Sequence, residues 1–520
     1  MDSPLILTFG VGTQSTRCLL VRPDGGFEDM CQVRHTPPYH SRNPGWAEQS
    51  PDFYYERICE AGRTVCGRNR AALGRVSAVA LTTIRDTVLC LDRDNRPLRD
   101  IILWLDKRQA EFDHPLPLHK RLIFRAAGMS KAVENIYRAS ACNWIAQRQP
   151  ELWAETASYV MLPTYLNYKM TGVLADCAAN MIGHMPFDYK NRRWQGRRAL
   201  TRCIYDIPQE KLCRLVPAGT AVGQTTRAFA ADSGVPEGLP LIAAGSDKGC
   251  ETLGLSVVQP HKAAVSLGTT ATIQLALERY VEPQPFMMPA YPAARSHLYN
   301  PEIELYRGFW LVSWFLREFC ARDLAQAEAL GCPPEELLDR YIADIPPGCG
   351  GLLLQPYWTP GITTPAARGA VVGLTDHHTR HHLYRAILEG IAFELCHSLR
   401  RMERRAGIRV EEVFVGGGGA RSNVACQILA DMFGLPVKRT QTHEVSAVGA
   451  AMVAFLAQGV FRSYDEAIRG MVQEGDVFLP DPAGHKLYAQ LYRGVYARLY
   501  PRLEPLYRRI IQITKRSDVL

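Results

Sequence analysis

Leu5-Ile6-Leu7-Thr8-Phe9-Gly10-Val11-Gly12-Thr13-Gln14-Ser15-Thr16-Arg17-Cys18-Leu19-Leu20-Val21 decides how the rest of the chain is read. Residues 5–9 have the unbroken apolar character of a buried strand, and residues 17–21 read as a second strand. Between them lies a turn of glycines and hydroxyl residues. The same order returns far downstream: Ala263-Ala264-Val265-Ser266-Leu267, then Gly268-Thr269-Thr270-Ala271-Thr272, then Ile273-Gln274-Leu275-Ala276-Leu277. A single Gly-Thr turn merely closes a hairpin. Two matched turns, at Gly12-Thr13 and Gly268-Thr269 in a chain of 520 residues, predict a duplicated domain with one hairpin per copy. Glycine lets backbone approach a ligand closely, and consecutive N–H groups with Thr or Ser hydroxyls cradle phosphate oxygens. One such turn per domain, facing across a cleft, suits a nucleoside triphosphate.

A third glycine cluster follows a third strand, Val413-Phe414-Val415, as Gly416-Gly417-Gly418-Gly419-Ala420-Arg421-Ser422-Asn423, and leads into a helical pattern. Such a corner lets a nucleobase or ribose lie on backbone near a helix N-terminus. It lacks the G-x-G-x-x-G and trailing acid of a dinucleotide site, and no G-x-x-x-x-G-K-[ST] loop occurs. The small-residue run from Glu444 to Met452 predicts a helix packed closely on a sheet.

Asp247 follows the apolar run Leu241-Ile242-Ala243-Ala244 in the turn Gly245-Ser246-Asp247-Lys248-Gly249. An acid just past a strand end is where an α/β protein presents a side chain to a cleft. Phosphoryl transfer needs a carboxylate to take the attacking hydroxyl's proton. The local sequence equally allows Asp247 to cap the helix that begins near Lys248.

The composition sets the class. With 47% hydrophobic and 22% charged residues the chain reads as globular, and its length predicts two domains. A formal charge of +8 is modest at this size, and no nucleic-acid module is visible, so the partners expected are small anions. Fifteen cysteines occur without a C-x-x-C, a pattern of reduced buried thiols that points to the cytoplasm. No run is apolar enough to predict a membrane span or a signal peptide.

Taken in order, these pieces resemble the FGGY family of carbohydrate kinases. The resemblance adds Gly45-Trp46-Ala47-Glu48-Gln49, Ile102-Leu103-Trp104-Leu105-Asp106-Lys107-Arg108, the segment from Pro163 to Gly172, and Arg368-Gly369-Ala370-Val371-Val372-Gly373-Leu374. It implies an α/β fold of two ribonuclease H-like domains of the actin/hexokinase superfamily around a central cleft, divided here as 1–254 and 255–520. It implies transfer of the γ-phosphoryl of ATP, with Mg2+, to a primary hydroxyl of a sugar or polyol. A xylulose-like ketose is the first choice; glycerol, erythritol or gluconate are alternatives. Asp247 matches the catalytic base. Gly12, Thr13, Gln14, Ser15 and Arg17, with Gly268, Thr269 and Thr270, match the phosphate segments, and Gly418, Gly419 and Asn423 match the adenosine site. Arg85 and Asp86 fall where relatives contact sugar hydroxyls, with Trp104 and Asp106 near the same pocket. For Trp104, ordinary core packing is an equal alternative.

Three positions depart from the family pattern. Gly10 stands where an Asp usually helps place magnesium, Ile84 where a polar residue is common, and Ala141 where many members carry Lys. With Gly10 there, Asp247 is expected to organise the metal as well as serve as base. The same substitution motivates the rival reading, a catalytically weak sugar- or nucleotide-binding protein on the same fold. Oligomeric state stays open, a homodimer included. The aromatic segments from Arg307 to Trp314 and from Pro356 to Pro360 are expected to pack between domains near the nucleotide. The His377-His378-Thr379-Arg380-His381-His382 cluster reads as a solvated helix entry rather than a metal site. Tyr488, Tyr492, Tyr496 and Tyr500 mark an amphipathic helix packed on its own domain, expected to break at Pro501 and Pro505 and to end in a frayed tail from Lys515.

Overall fold

The computed structural model describes residues 3–113, 116–205, 207–361 and 363–514. In it the opening strand runs to Leu5–Val11, because Gly10 and Val11 still pair with Arg17 and Thr16 of the returning strand Ser15–Val21. Side chains alternate across the strand: Leu5, Leu7 and Phe9 enter one core with Tyr54 and Ile58, while Ile6 enters another on the opposite face.

Two sheets repeat one topology. In the first, Leu5–Val11 lies antiparallel to Ser15–Val21, which pairs antiparallel with Phe27–Arg34. On its other side Val76–Thr83 is parallel, followed by parallel Pro240–Ala243 and the antiparallel edge strand Ala221–Gln224. In the second, Lys262–Leu267 lies antiparallel to Ala271–Leu275, which pairs antiparallel with Tyr299–Leu305. There the parallel neighbours are Glu412–Gly416 and Val437–Thr440, with Ala290–Pro292 and Glu474–Phe478 at the edges. The duplication predicted from two Gly-Thr turns is therefore a duplication of five-strand order. This is the two-domain α/β architecture expected.

The layer between the sheets is shared. Ile6, Leu19 and Ala80 from the first half meet Ala264 and Phe414 from the second, with Val448, Ala451 and Met452 filling the middle. The small-residue run forms the helix Val445–Ala457. It lies on the strands as expected, and also crosses the helix Asp247–Gly254 at backbone contact. A Cβ on Gly449 would sit 1.9 Å from the Cys250 carbonyl oxygen, and one on Gly254 1.9 Å from that of Val445. Only glycine at both places allows this approach.

A smaller four-stranded sheet, Glu48–Gln49, Ile101–Ile102, Val88–Leu91 and Ser158–Met161, is inserted in the first half and carries the segment with Trp104 and Asp106. One expectation fails at the C-terminal end. The helix does not break at Pro501 and Pro505 but runs through both, as Ala497–Thr514. Pro501 is exposed and Pro505 lies on the same outer side, so water takes the carbonyls they strand. The buried Tyr507 hydroxyl bonds Gln355 Oε1 at 2.8 Å and holds the segment down. The tail from Lys515 lies outside the described residues. None of the fifteen cysteines, all among the described residues, is in a disulfide, and no helix among the described residues is long and apolar enough to cross a membrane.

Candidate active site

Ser246, not Asp247, caps the helix Asp247–Gly254: its Oγ accepts from Gly249 N at 3.2 Å. Asp247 Oδ1 accepts from the adjacent Lys248 N at 2.8 Å, so the carboxylate still touches the helix start although the cap itself is Ser246. Asp247 opens the helix at the end of Pro240–Ala243, with about a third of its side chain (33%) open to the cleft. Burial pushes its carboxyl above the ordinary value, and the nearby charges of Arg85 and Lys248 only partly counter that rise. A carboxylate with raised proton affinity that is still reachable from solvent is suited to accept a proton.

The two Gly-Thr turns line the same cavity as this residue, and each closes on its first glycine N–H, three residues on in the first turn and two in the second. Gly12 N donates to Ser15 O at 2.9 Å, and Gly268 N to Thr270 O at 3.0 Å. Each strand end therefore folds back tightly and presents its hydroxyl side chains to the cleft. His35, which belongs to no motif in the sequence, braces the first turn, with Nδ1 3.0 Å from Thr13 O and Nε2 2.9 Å from Thr16 Oγ1. Arg17 reaches across to Glu444 of the second half at 3.3 Å. At the glycine corner, a Cβ on Gly419 would strike the Phe309 ring at 2.5 Å, whereas Gly418 has nothing within 4 Å and is open to a ligand. Asn423 begins the helix Asn423–Phe433 and anchors through Oδ1 to Arg439 at 2.8 Å.

Asp247, the turn residues Gly12 to Ser15 and Gly268 to Thr270, Arg17, Gly418, Gly419 and Asn423, with Arg85, Asp86, Trp104 and Asp106, line one cavity of about 2590 Å³. A pocket for one drug-sized ligand spans roughly 300–1,000 Å³, so the cleft has room for two ligands side by side. Its walls come from both halves of the chain. Two domain descriptions match it: the N-terminal domain of the FGGY family of carbohydrate kinases over residues 5–254, and the C-terminal domain of that family over residues 263–458.

The chain belongs to the FGGY family of carbohydrate kinases.

Among relatives of this FGGY kinase, a xylulose kinase of Bacillus subtilis (strain 168) is 26% identical over 518 residues, covering 96% of this chain and 97% of that protein. A gluconokinase of Bacillus licheniformis is 24% identical over 503 residues, with 94% of each chain covered. The crystal structure of xylulose kinase from Rhodospirillum rubrum superposes with a TM-score of 0.81 at 24% identity, over 97% of this chain and 100% of that one, a likeness of fold.

The remaining polar residues of this FGGY kinase divide sharply by what already binds them. Trp104 is half-buried and donates from Nε1 to Thr13 Oγ1 at 3.0 Å, so it ties the inserted sheet to the first Gly-Thr turn. Asp106 is saturated: it accepts from Arg108 Nε and Nη2 at 2.8 Å each and from Ala47 N at 2.6 Å. Its side chain is 3% exposed. It holds Arg108, whose guanidinium lies 4.0 Å from the Trp46 ring centroid, and leaves no lone pair pointed at a ligand. Asp86 takes both the backbone N–H and Nδ1 of His184, at 2.8 and 2.7 Å. Burial disfavours the Asp86 charge, yet His184 outweighs burial and holds the carboxyl below its ordinary value. The imidazole is raised in turn, its own desolvation overcome by Asp86. His184 carries no sequence signal, because its partner lies 98 positions away.

Arg85 turns away from the role of a free contact. Its Nη1 and Nη2 bond Glu302 of the second half at 3.0 and 2.8 Å, and its Nε stands 3.9 Å from Asp247 Oδ1. Of the departures noted in the sequence, Ile84 is buried at the cleft wall and Ala141 begins the helix Ala141–Arg148. The aromatic segments meet each other, Trp314 to Trp358 at 5.3 Å between centroids and Arg307 Nε to Thr359 Oγ1 at 3.0 Å. The histidine cluster builds the start of the helix Arg380–Ala406, where Thr379 and His382 form a reciprocal cap.

Proposed function

We propose that this FGGY kinase transfers the γ-phosphoryl of ATP to a primary hydroxyl of a ketose or polyol, with a xylulose-like sugar first. The observation that carries the reading is Asp247: a cleft-facing carboxylate with raised proton affinity, at a helix start capped by Ser246, in the cavity that two Gly-Thr turns also line. Gly12, Thr13, Gln14, Ser15 and Arg17 hold the phosphates from one side, and Gly268, Thr269 and Thr270 from the other. Gly418, Gly419 and Asn423 hold the adenosine. Asp247 accepts the proton of the acceptor hydroxyl as its oxygen attacks phosphorus in line. Closure of the two halves on the bound acceptor would keep competing water from that point.

The oxygen-rich donor set fits Mg2+, which keeps most of its waters and phosphate oxygens and asks for only one or two carboxylates. Asp247 would hold it. When bound, the ion neutralises phosphate charge.

Gly10 favours the second reading, a weakly catalytic binding protein, and the same residue makes the test clean. A Cβ at Gly10 would meet only Thr82 Cγ2, at 4.0 Å, so an aspartate fits without displacing the strand. Gly10→Asp is therefore expected to leave the melting temperature unchanged. A rise of about tenfold or more in kcat would identify the natural site as short of a carboxylate. An unchanged kcat would mean Asp247 suffices. The kinase reading is tested by ADP release with pentuloses, hexuloses, polyols and sugar acids. Tight ATP binding with no acceptor turned over faster than in Asp247→Ala would sink it.

Trp104→Phe separates a linking role from packing. It deletes the bond to Thr13 and keeps the aromatic volume. Loss of a net hydrogen bond of about 1 kcal/mol predicts about a fivefold rise in KM for nucleotide and acceptor together. A drop in thermal stability with neither KM moved would mean that Trp104 only packs.

A further inference from the structure

We propose that the acceptor is an uncharged polyhydroxy compound rather than a sugar acid, and that Glu302 enforces the choice by occupying Arg85. The proposal rests on the kinase reading above and narrows it. Arg85 is the residue at the sugar position whose guanidinium would recognise a carboxylate by a two-pronged bond. That prong is taken. Glu302 accepts from Nη1 and Nη2 at 3.0 and 2.8 Å, and its side chain is 4% exposed. Gln274 Nε2 donates to Glu302 from behind, so the acid cannot swing aside freely. The remaining edge of the guanidinium, at Nε, faces Asp247 at 3.9 Å.

The neighbouring charges repeat the pattern. Lys248 is held by Glu251 at 2.7 Å and Ser266 Oγ at 2.6 Å. His184 is held by Asp86 at 2.7 Å. Glu304, two residues along the strand Tyr299–Leu305 and on the same face as Glu302, lines the cleft as a further acid. Its carboxyl is pushed up by burial more than Arg85 pulls it down. An anion arriving there would thus meet Asp247 and Glu304 on the cleft wall, beside cations that already have partners. Lys107 and Lys190 line the same cavity outside this cluster. A neutral hydroxyl faces no such penalty, since the guanidinium N–H groups not bonded to Glu302 still donate to it. Selection by repulsion of the wrong ligand is a common route to specificity.

The test compares matched pairs, xylitol with xylonate and glucitol with gluconate, together with xylulose, in the parent and in Glu302→Gln. Glutamine keeps an oxygen for Arg85 and removes the charge. The parent is expected to prefer each neutral compound, and the variant to shift the acid-to-neutral ratio of kcat/KM toward the acid by about tenfold. A parent that prefers the acids, or a ratio the variant leaves unmoved, overturns the proposal. If the variant fails to fold, the parent's ranking decides alone. If no compound is phosphorylated by the parent, the kinase reading falls separately. The acid-to-neutral ratio is then read from equilibrium binding, where preference for the neutral compounds supports the proposal and preference for the acids overturns it.

Discussion

Asp247→Asn is expected to lower kcat/KM by about 10²–10⁴-fold, the range attached to a positioned general base, while leaving the helix it begins intact. The helix survives because its cap is the Ser246 hydroxyl on Gly249 N, not the aspartate. The same variant makes a second, independent prediction through pH. Burial raises the Asp247 pKa in the folded chain, so the folded form binds the proton more tightly than the unfolded one. Such a group costs stability as pH climbs from its ordinary value of 3.8 through the raised folded value, and costs nothing below both. Asn carries no charge to desolvate. The variant should therefore melt above the parent at pH 7 and lose that advantage on acidification. In the parent, the acid limb of kcat/KM should lie above the ordinary aspartate range. A variant that keeps more than a tenth of the parent's activity would remove Asp247 from the chemistry. A variant that melts lower at pH 7 would contradict the desolvation argument.

The largest effect on stability is expected from Gly449→Ala. Its new Cβ would lie 1.9 Å from the Cys250 carbonyl oxygen, on the helix that carries Asp247. Backbone, unlike a side chain tip, cannot turn aside, so the helices Asp247–Gly254 and Val445–Ala457 must separate. Overpacking of this kind costs about 3 kcal/mol, and the shared core of Ile6, Leu253, Val448 and Met452 would loosen with it. Since this crossing also sets where Asp247 stands relative to the second Gly-Thr turn, activity should fall even in the fraction that stays folded. Differential scanning calorimetry with kinetics on the same sample checks both. An alanine variant with parental melting and rate would mean the crossing has slack that the close approach denies. Gly10→Asp is the control for glycine replacement as such, because a Cβ there meets only an ordinary contact with Thr82 Cγ2 at 4.0 Å.

Much of the candidate site is legible in the sequence because its signals are local. A Gly-Thr turn closes within four residues, and a strand followed by Gly-Ser-Asp spans fewer than ten. The C-terminal helix departs from its sequence expectation for a physical reason. Proline's penalty depends on whether the carbonyls it strands face solvent, and on the outer side of Ala497–Thr514 they do. Asp106 shows the opposite limit. A carboxylate beside a Trp reads as a sugar ligand until Arg108 and Ala47 N are seen to consume it. Nothing in the residue itself says which.

The sequence by itself determined the repeat. Two hairpins of alternating burial around matched glycine turns impose the same strand order twice, since strand pairing and tight turns are short-range consequences of residue type. What only the tertiary structure decided is how charges are shared across the cleft. Arg85 with Glu302 lies 217 positions apart and Asp86 with His184 lies 98 apart. Coulomb energy depends on distance in space and on burial, neither of which is written along the chain. The matched turns mark where the cleft lies; only the fold decides which charges pair across it.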